Sequence, residues 1–160
     1  MLMWEALANL VSDTALAQWI QATYWLWPVL EILHFIGLSL LFGGLLIVDL
    51  RMLGFFTQIN QLATHKLLPL VIGGFALNLI TGVLFFFGDP MRYSINIALK
   101  VKMSLVVLAG LNALFYHFKV QPLGREKNDF SLEKISAAVS LIAWTGVLLF
   151  GRLIPYIGTG

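Results

Sequence analysis

The stretch VLEILHFIGLSLLFGGLLIVDLR, residues 29–51, decides the fold. Its centre is apolar over a length that suits a hydrocarbon core of about 30 Å, which takes roughly 20 residues of helix. Glu31 and His34 nevertheless stand near one end, and Asp49 and Arg51 close the other. A charge near the bilayer centre costs at least about 2.5–3.5 kcal/mol, so ionisable groups on a membrane helix face protein or a polar cavity. Placed about 100° apart per residue, Glu31, His34, Gly37, Gly44 and Asp49 fall within an arc of about 140°. The spacing predicts that these groups look into a bundle.

Working outward, residues 28–49, 67–88, 97–118 and 135–156 all have the length and apolarity of a span. The chain of 160 residues is 59% hydrophobic and 11% charged, against about 25% charged in soluble domains. That composition predicts an all-α integral membrane protein. Pro28 and Pro69 suit the first turns of their helices, and Gly88-Asp89-Pro90 and Gln121-Pro122-Leu123-Gly124 punctuate the ends of two others. Short connections predict an antiparallel four-helix bundle over residues 24–160.

Residues 1–23 read differently. Trp4, Leu7 and Leu10, then Leu16, Trp19 and Ile20, recur at helical spacing, with Ser12-Asp13 placed to cap a second short helix. They predict an N-terminal amphipathic interfacial segment, with Trp4, Trp19, Tyr24, Trp25 and Trp27 as an aromatic belt. An early Glu5 and the lack of a basic n-region predict that this segment is retained and is not a signal peptide.

Charge distribution orients the chain. Arg51, Lys66, Lys119, Arg125, Lys127 and Lys134 lie on one side of the predicted bundle. The other carries Arg92, with Lys100, Lys102 and Arg152 inside helix ends. By the positive-inside rule the first side is cytoplasmic, which predicts both termini on the opposite side. A net charge of +2 with dispersed basic residues argues against nucleic acid as a partner. The absence of cysteine excludes disulfides, thiolate metal sites, iron–sulfur clusters and covalent haem attachment.

Histidines then sort by depth. His34 lies about 9 Å in from the side predicted to hold the termini, while His117 and His65 lie near the opposite one. The vertical gap of roughly 20 Å between His34 and His117 means that they cannot ligate the same iron. At the height of His34 the third span offers Met103, which forms a seven-residue stripe with Gly110 and His117. A His/Met pair is a known haem ligation, and Lys100, Lys102 and Arg152 would suit propionates, with Glu31 as the internal counter-charge. His65 with His117 is a second pairing. Each feature has a plainer reading: core packing for the methionine stripe, snorkelling for the lysines, an interhelical hydrogen bond for His34, an interfacial anchor for Asp49 with Arg51. Asn78, Thr81 and Asn112 fit the same interhelical role. No H-E-x-x-H, P-loop or G-x-S-x-G motif occurs.

The pattern WP..E..H..G from Trp27, DLRMLG at 49–54, the lysines at 100 and 102, N....H at 112–117 and W......GR at 144–152 resembles an uncharacterised family of small bacterial four-helix membrane proteins. More distantly, the chain is similar to the J-type protoporphyrinogen oxidases and the copper-resistance D-type membrane proteins. The former share the layout of His34, Arg51, Lys100 or Lys102, and His117, and the resemblance implies b-type haem at His34. DLRMLG and the longer lysine-to-histidine spacing depart from the oxidase pattern. The expectation is therefore a haem-binding membrane protein in electron transfer, acting with a redox partner or within a larger membrane complex. Copper handling through His34, Met103 and His117, or a structural membrane subunit, are the alternatives.

Overall fold

A computed structural model describes residues 2–60, 63–64, 66–120 and 130–157. Its helices are α1 (Leu2–Ser12), α2 (Ala15–Ala22), α3 (Leu26–Met52), α4 (Leu68–Gly88), α5 (Pro90–Ile95), α6 (Ile97–Phe115, continued by a π-helical turn Tyr116–Val120) and α7 (Phe130–Leu153). No strand occurs among the described residues. Four helical stretches, Leu26–Met52, Leu68–Gly88, Ile97–Val120 and Leu132–Leu153, are long and apolar enough to cross a membrane. That is the make-up of a multi-pass membrane protein.

Helix boundaries follow local chemistry. Thr14, not Ser12 or Asp13, caps α2, its hydroxyl accepting from the Ala17 amide at 3.3 Å. Ser12 instead donates to the Ala8 carbonyl of its own helix. Asp89 both follows α4 and caps α5, accepting from the Arg92 amide, so the expected break at 88–90 holds a short helix that periodicity did not reveal. At the end of α3, Gly54 adopts φ +98°, Gly54 N–H donates to Arg51 O at 3.1 Å and Phe55 N–H to Leu50 O at 2.9 Å. This paired closure satisfies carbonyls the helix leaves open and needs the left-handed residue that glycine supplies. Asn96 does similar work for two helices. Its oxygen accepts from Leu99 N–H at the start of α6, and its amide donates to Ile154 O at 2.8 Å and Ile157 O at 2.6 Å beyond α7.

Packing is organised as two close pairs, α3 with α4 and α6 with α7, joined where α3 meets α7. The first pair is in backbone contact. A Cβ on Gly37 would stand 2.6 Å from Asn78 Nδ2 and 3.0 Å from Gly74 O; one on Gly74 would stand 2.7 Å from both Gly37 O and Leu41 N. Further along, Gly44 receives Val71. In the second pair Leu105 fills the notch at Gly146, and Asn112 donates to Ser136 O at 3.0 Å while accepting from the Ser136 hydroxyl at 3.1 Å. Phe75 and Trp144 meet nearly at right angles, linking α4 to α7. α1 rests on α5 and α2 on α4. The outward faces carry large apolar side chains such as Ile32, Phe35, Ile72, Ile80, Leu111 and Ile142.

Because the atoms facing Gly74 are backbone, they cannot rotate away. Gly74→Ala should destabilise the protein by about 1–3 kcal/mol through overpacking. Its neighbour Gly73, whose Cβ would meet nothing within 4 Å, should tolerate alanine or gain roughly 0.5–1 kcal/mol from helix propensity. Unfolding of both variants in detergent measures the contrast.

Candidate functional site

His34 projects from α3 towards α4, where its Nδ1 lies 2.7 Å from the hydroxyl of buried Thr81. The interhelical hydrogen bond expected among the plainer readings is therefore present. Donor counting assigns its direction. Thr81 Oγ1 lies 2.8 Å from Leu77 O and 3.2 Å from Asn78 O, so its one proton is directed into α4 and its oxygen accepts from the imidazole. The proton then resides on Nδ1, and Nε2 of the neutral ring carries the lone pair that can take a proton or a metal.

Aromatic rings wall the imidazole. Phe85, about one turn beyond Thr81, presents its ring edge-on at 5.5 Å and packs on Trp27 at 5.1 Å. Trp27 fits because Gly88 has no side chain: a Cβ there would lie 2.6 Å from its ring. From α6, Lys102 comes close enough for its charge to act on the His34 ring. Its stem crosses Gly151 of α7, with Nζ 3.3 Å from where a Cβ would be. Three helices, α3, α4 and α6, thus bring an imidazole with a defined tautomer, a hydroxyl, an apolar aromatic wall and one ammonium into the same region, and α7 leaves room for the lysine at Gly151.

The remaining expected residues are placed elsewhere. Met103 is 47% exposed, Gly110 has nothing within 4 Å of its Cβ position, and His117 is exposed, edge-on to Phe118. Their seven-residue stripe lies on the outer face, so Met103 does not meet His34. The inward stripe is Ala98, Lys102, Leu105, Ala109 and Asn112. Heptad spacing gave the repeat but not its phase, because a helix apolar on every side has no polar face to fix its rotation. Glu31 is also corrected: it is exposed and accepts from Trp27 Nε1 at 3.1 Å, so it is not an internal counter-charge. It acts electrostatically on Tyr93 of α5, whose phenol is pushed up by burial and drawn down by Arg92. Lys100 is exposed. Arg152 is exposed too, and donates to the Tyr156 hydroxyl at 3.3 Å with its guanidinium over the same ring. His65 lies outside the described residues.

Sequence reasoning misjudged Asp49. Instead of forming an interfacial ion pair with Arg51, Asp49 is 4% exposed, with Ser140 of α7 near enough to act on its carboxyl and with Oδ2 unpartnered. Arg51 turns away and donates from Nε to Ile59 O at 2.8 Å. The available signal was on α7, where Ser136, Ser140, Ala143 and Val147 repeat at helical spacing and form a small-residue face able to accept a polar group. Asn78 departs from expectation as well, donating to Gly74 O within its own helix.

Comparison with protein-family models, with curated proteins and with solved structures finds no match.

Removing the acceptor of His34 should be costly and specifically rescued. Thr81→Val should lose about 1–3 kcal/mol by stranding a buried donor, and Thr81→Ser should recover most of it in the same unfolding assay. For the other link, Asp49→Ala and Ser140→Ala should be non-additive by about 0.5–3 kcal/mol in a double-mutant cycle.

Proposed function

We propose that this chain is a bacterial inner-membrane protein that binds b-type haem through His34 and takes part in electron transfer with a redox partner or within a larger membrane complex. In this reading the four long helices form an antiparallel membrane bundle, and α1 and α2 lie at the membrane surface as an amphipathic segment. The lysines and arginines on the loops at the Arg51 end support an orientation with that end in the cytoplasm and the termini in the periplasm.

The observation that carries the reading is the Thr81 hydrogen bond to His34. Iron-ligating histidines present one ring nitrogen to the metal while the other N–H is held by a neighbouring acceptor, which fixes the ring and raises its basicity. His34 has that arrangement, with Nε2 as the ligating atom. Lys102 is the cation suited to a propionate carboxylate, and the Phe85 and Trp27 rings provide apolar surface that keeps water from the imidazole. Bound haem would supply a one-electron couple at iron. The expected second ligand does not fit: Met103 faces outward, and His117 lies at the far end of the bundle. Among the described residues, His34 is therefore the one that would hold the iron at this site.

Copper handling draws less support. Copper is suited by imidazole and thioether donors gathered together, whereas His34, Met103 and His117 lie on different faces or at different ends. Among the described residues no three His, Asp or Glu side chains cluster for a metal.

Protein purified in mild detergent with haem supplied should show a b-type Soret band. His34→Ala should abolish it, Met103→Ala and His117→Ala should retain it, and Thr81→Val should weaken haem affinity about 10–100-fold. A wild-type protein without the band, under conditions that load a control cytochrome, overturns the reading.

A further inference from the structure

At the Arg51 end of the bundle, roughly 25 Å along α3 from His34, lies a cavity of about 500 Å³. It is built where the end of α3, the following turn, the start of α4, the end of α6 and the start of α7 converge. Val48, Met52 and Leu68 give it apolar lining, and Arg51, Lys134, Glu133 and Tyr116 give it polar lining. Its size falls within the range of about 300–1,000 Å³ typical of small-molecule sites.

The charged set is specific. Arg51 from α3 and the adjacent Glu133 and Lys134 from α7 border the same space, so the ligand they suit carries a negative group with a positive group nearby. Arg51 is held by its Nε bond to Ile59 O, which fixes the plane of a guanidinium whose fork matches phosphate. Glu133 opens α7 and shares its surroundings with Tyr116, on whose phenol both it and Asp49 act electrostatically. The apolar lining supplies a surface for aliphatic carbons joined to such a group.

We infer that this cavity binds a phosphate ester bearing a primary ammonium, the chemistry of phosphoethanolamine, with Arg51 on the phosphate, Glu133 on the ammonium and Val48, Met52 and Leu68 against the attached carbons. Lys134 adds positive charge beside the phosphate. The same headgroup can arrive on a membrane phospholipid or as a free molecule. The inference shares the membrane reading above but is independent of haem.

Native mass spectrometry of the full chain in a maltoside detergent tests it, with short-chain phosphatidylethanolamine, short-chain phosphatidylglycerol and free phosphoethanolamine as probes. Saturable binding of phosphatidylethanolamine about tenfold tighter than phosphatidylglycerol is expected, a difference that one charge-assisted contact can provide. Glu133→Gln should remove that preference while phosphate binding persists, and Arg51→Gln should weaken both lipids. Free phosphoethanolamine binding as tightly as the lipid would identify a soluble source, and binding only of the lipid a membrane one. Equal binding of the two lipids by the wild type, no saturable binding of any probe, or an unchanged preference in Glu133→Gln overturns the inference. Should Arg51→Gln fail to fold, the Glu133→Gln comparison decides alone.

Discussion

The backbone contact between Gly37 and Gly74 is the constraint on which the rest depends. Two apolar helices gain little from each other by hydrophobicity when their surroundings are equally apolar, so close association comes from surface fit and hydrogen bonds. Glycine at both positions lets α3 and α4 approach until main-chain atoms touch. Only at that separation can the imidazole at 34, about one turn before Gly37, reach the Thr81 hydroxyl at 2.7 Å. The tautomer of His34 is thus a consequence of two missing side chains a turn or two away.

The second pair obeys the same logic with different partners. Gly146 admits Leu105 and Gly151 admits the stem of Lys102, so a lysine enters the bundle alongside a helix that leaves it room. Asn112 with Ser136, and Asn96 with the carbonyls after α7, hold the pair at both ends. Asp49 with Ser140 then joins pair to pair. The polar links within the two pairs, His34 with Thr81 and Asn112 with Ser136, accompany small residues on the same helices, because a short hydrogen bond between helices requires the helices to be close.

How much of this was legible depends on what each residue reports. The spans were readable because apolarity over a span's length is a property of contiguous sequence, and the boundary at 88–90 was readable because Gly, Asp and Pro act on their own backbone. His34 was recognisable as inward-facing, since it falls on the helix face shared by Gly37 and Gly44. Met103 was misplaced by about 100°, a single residue's rotation: α6 is apolar all round, and nothing local distinguishes the face seen by Lys102 from the face seen by Met103. Glu31 was misjudged for a related reason. It shares its helical angle with Asp49, yet Glu31 is exposed and Asp49 buried, because the rotation of one helix does not say how closely its neighbours approach at each height.

The sequence by itself determined four spans, their glycine-marked faces and an imidazole directed inward, because hydropathy and helical periodicity act over a few turns. Only the tertiary structure decided that Thr81 receives His34, that Ser140 and not Arg51 receives Asp49, and that Arg51 and Glu133 border one cavity. Those pairings join residues dozens of positions apart, and they are set by the rotation and closeness of whole helices, which no single helix encodes.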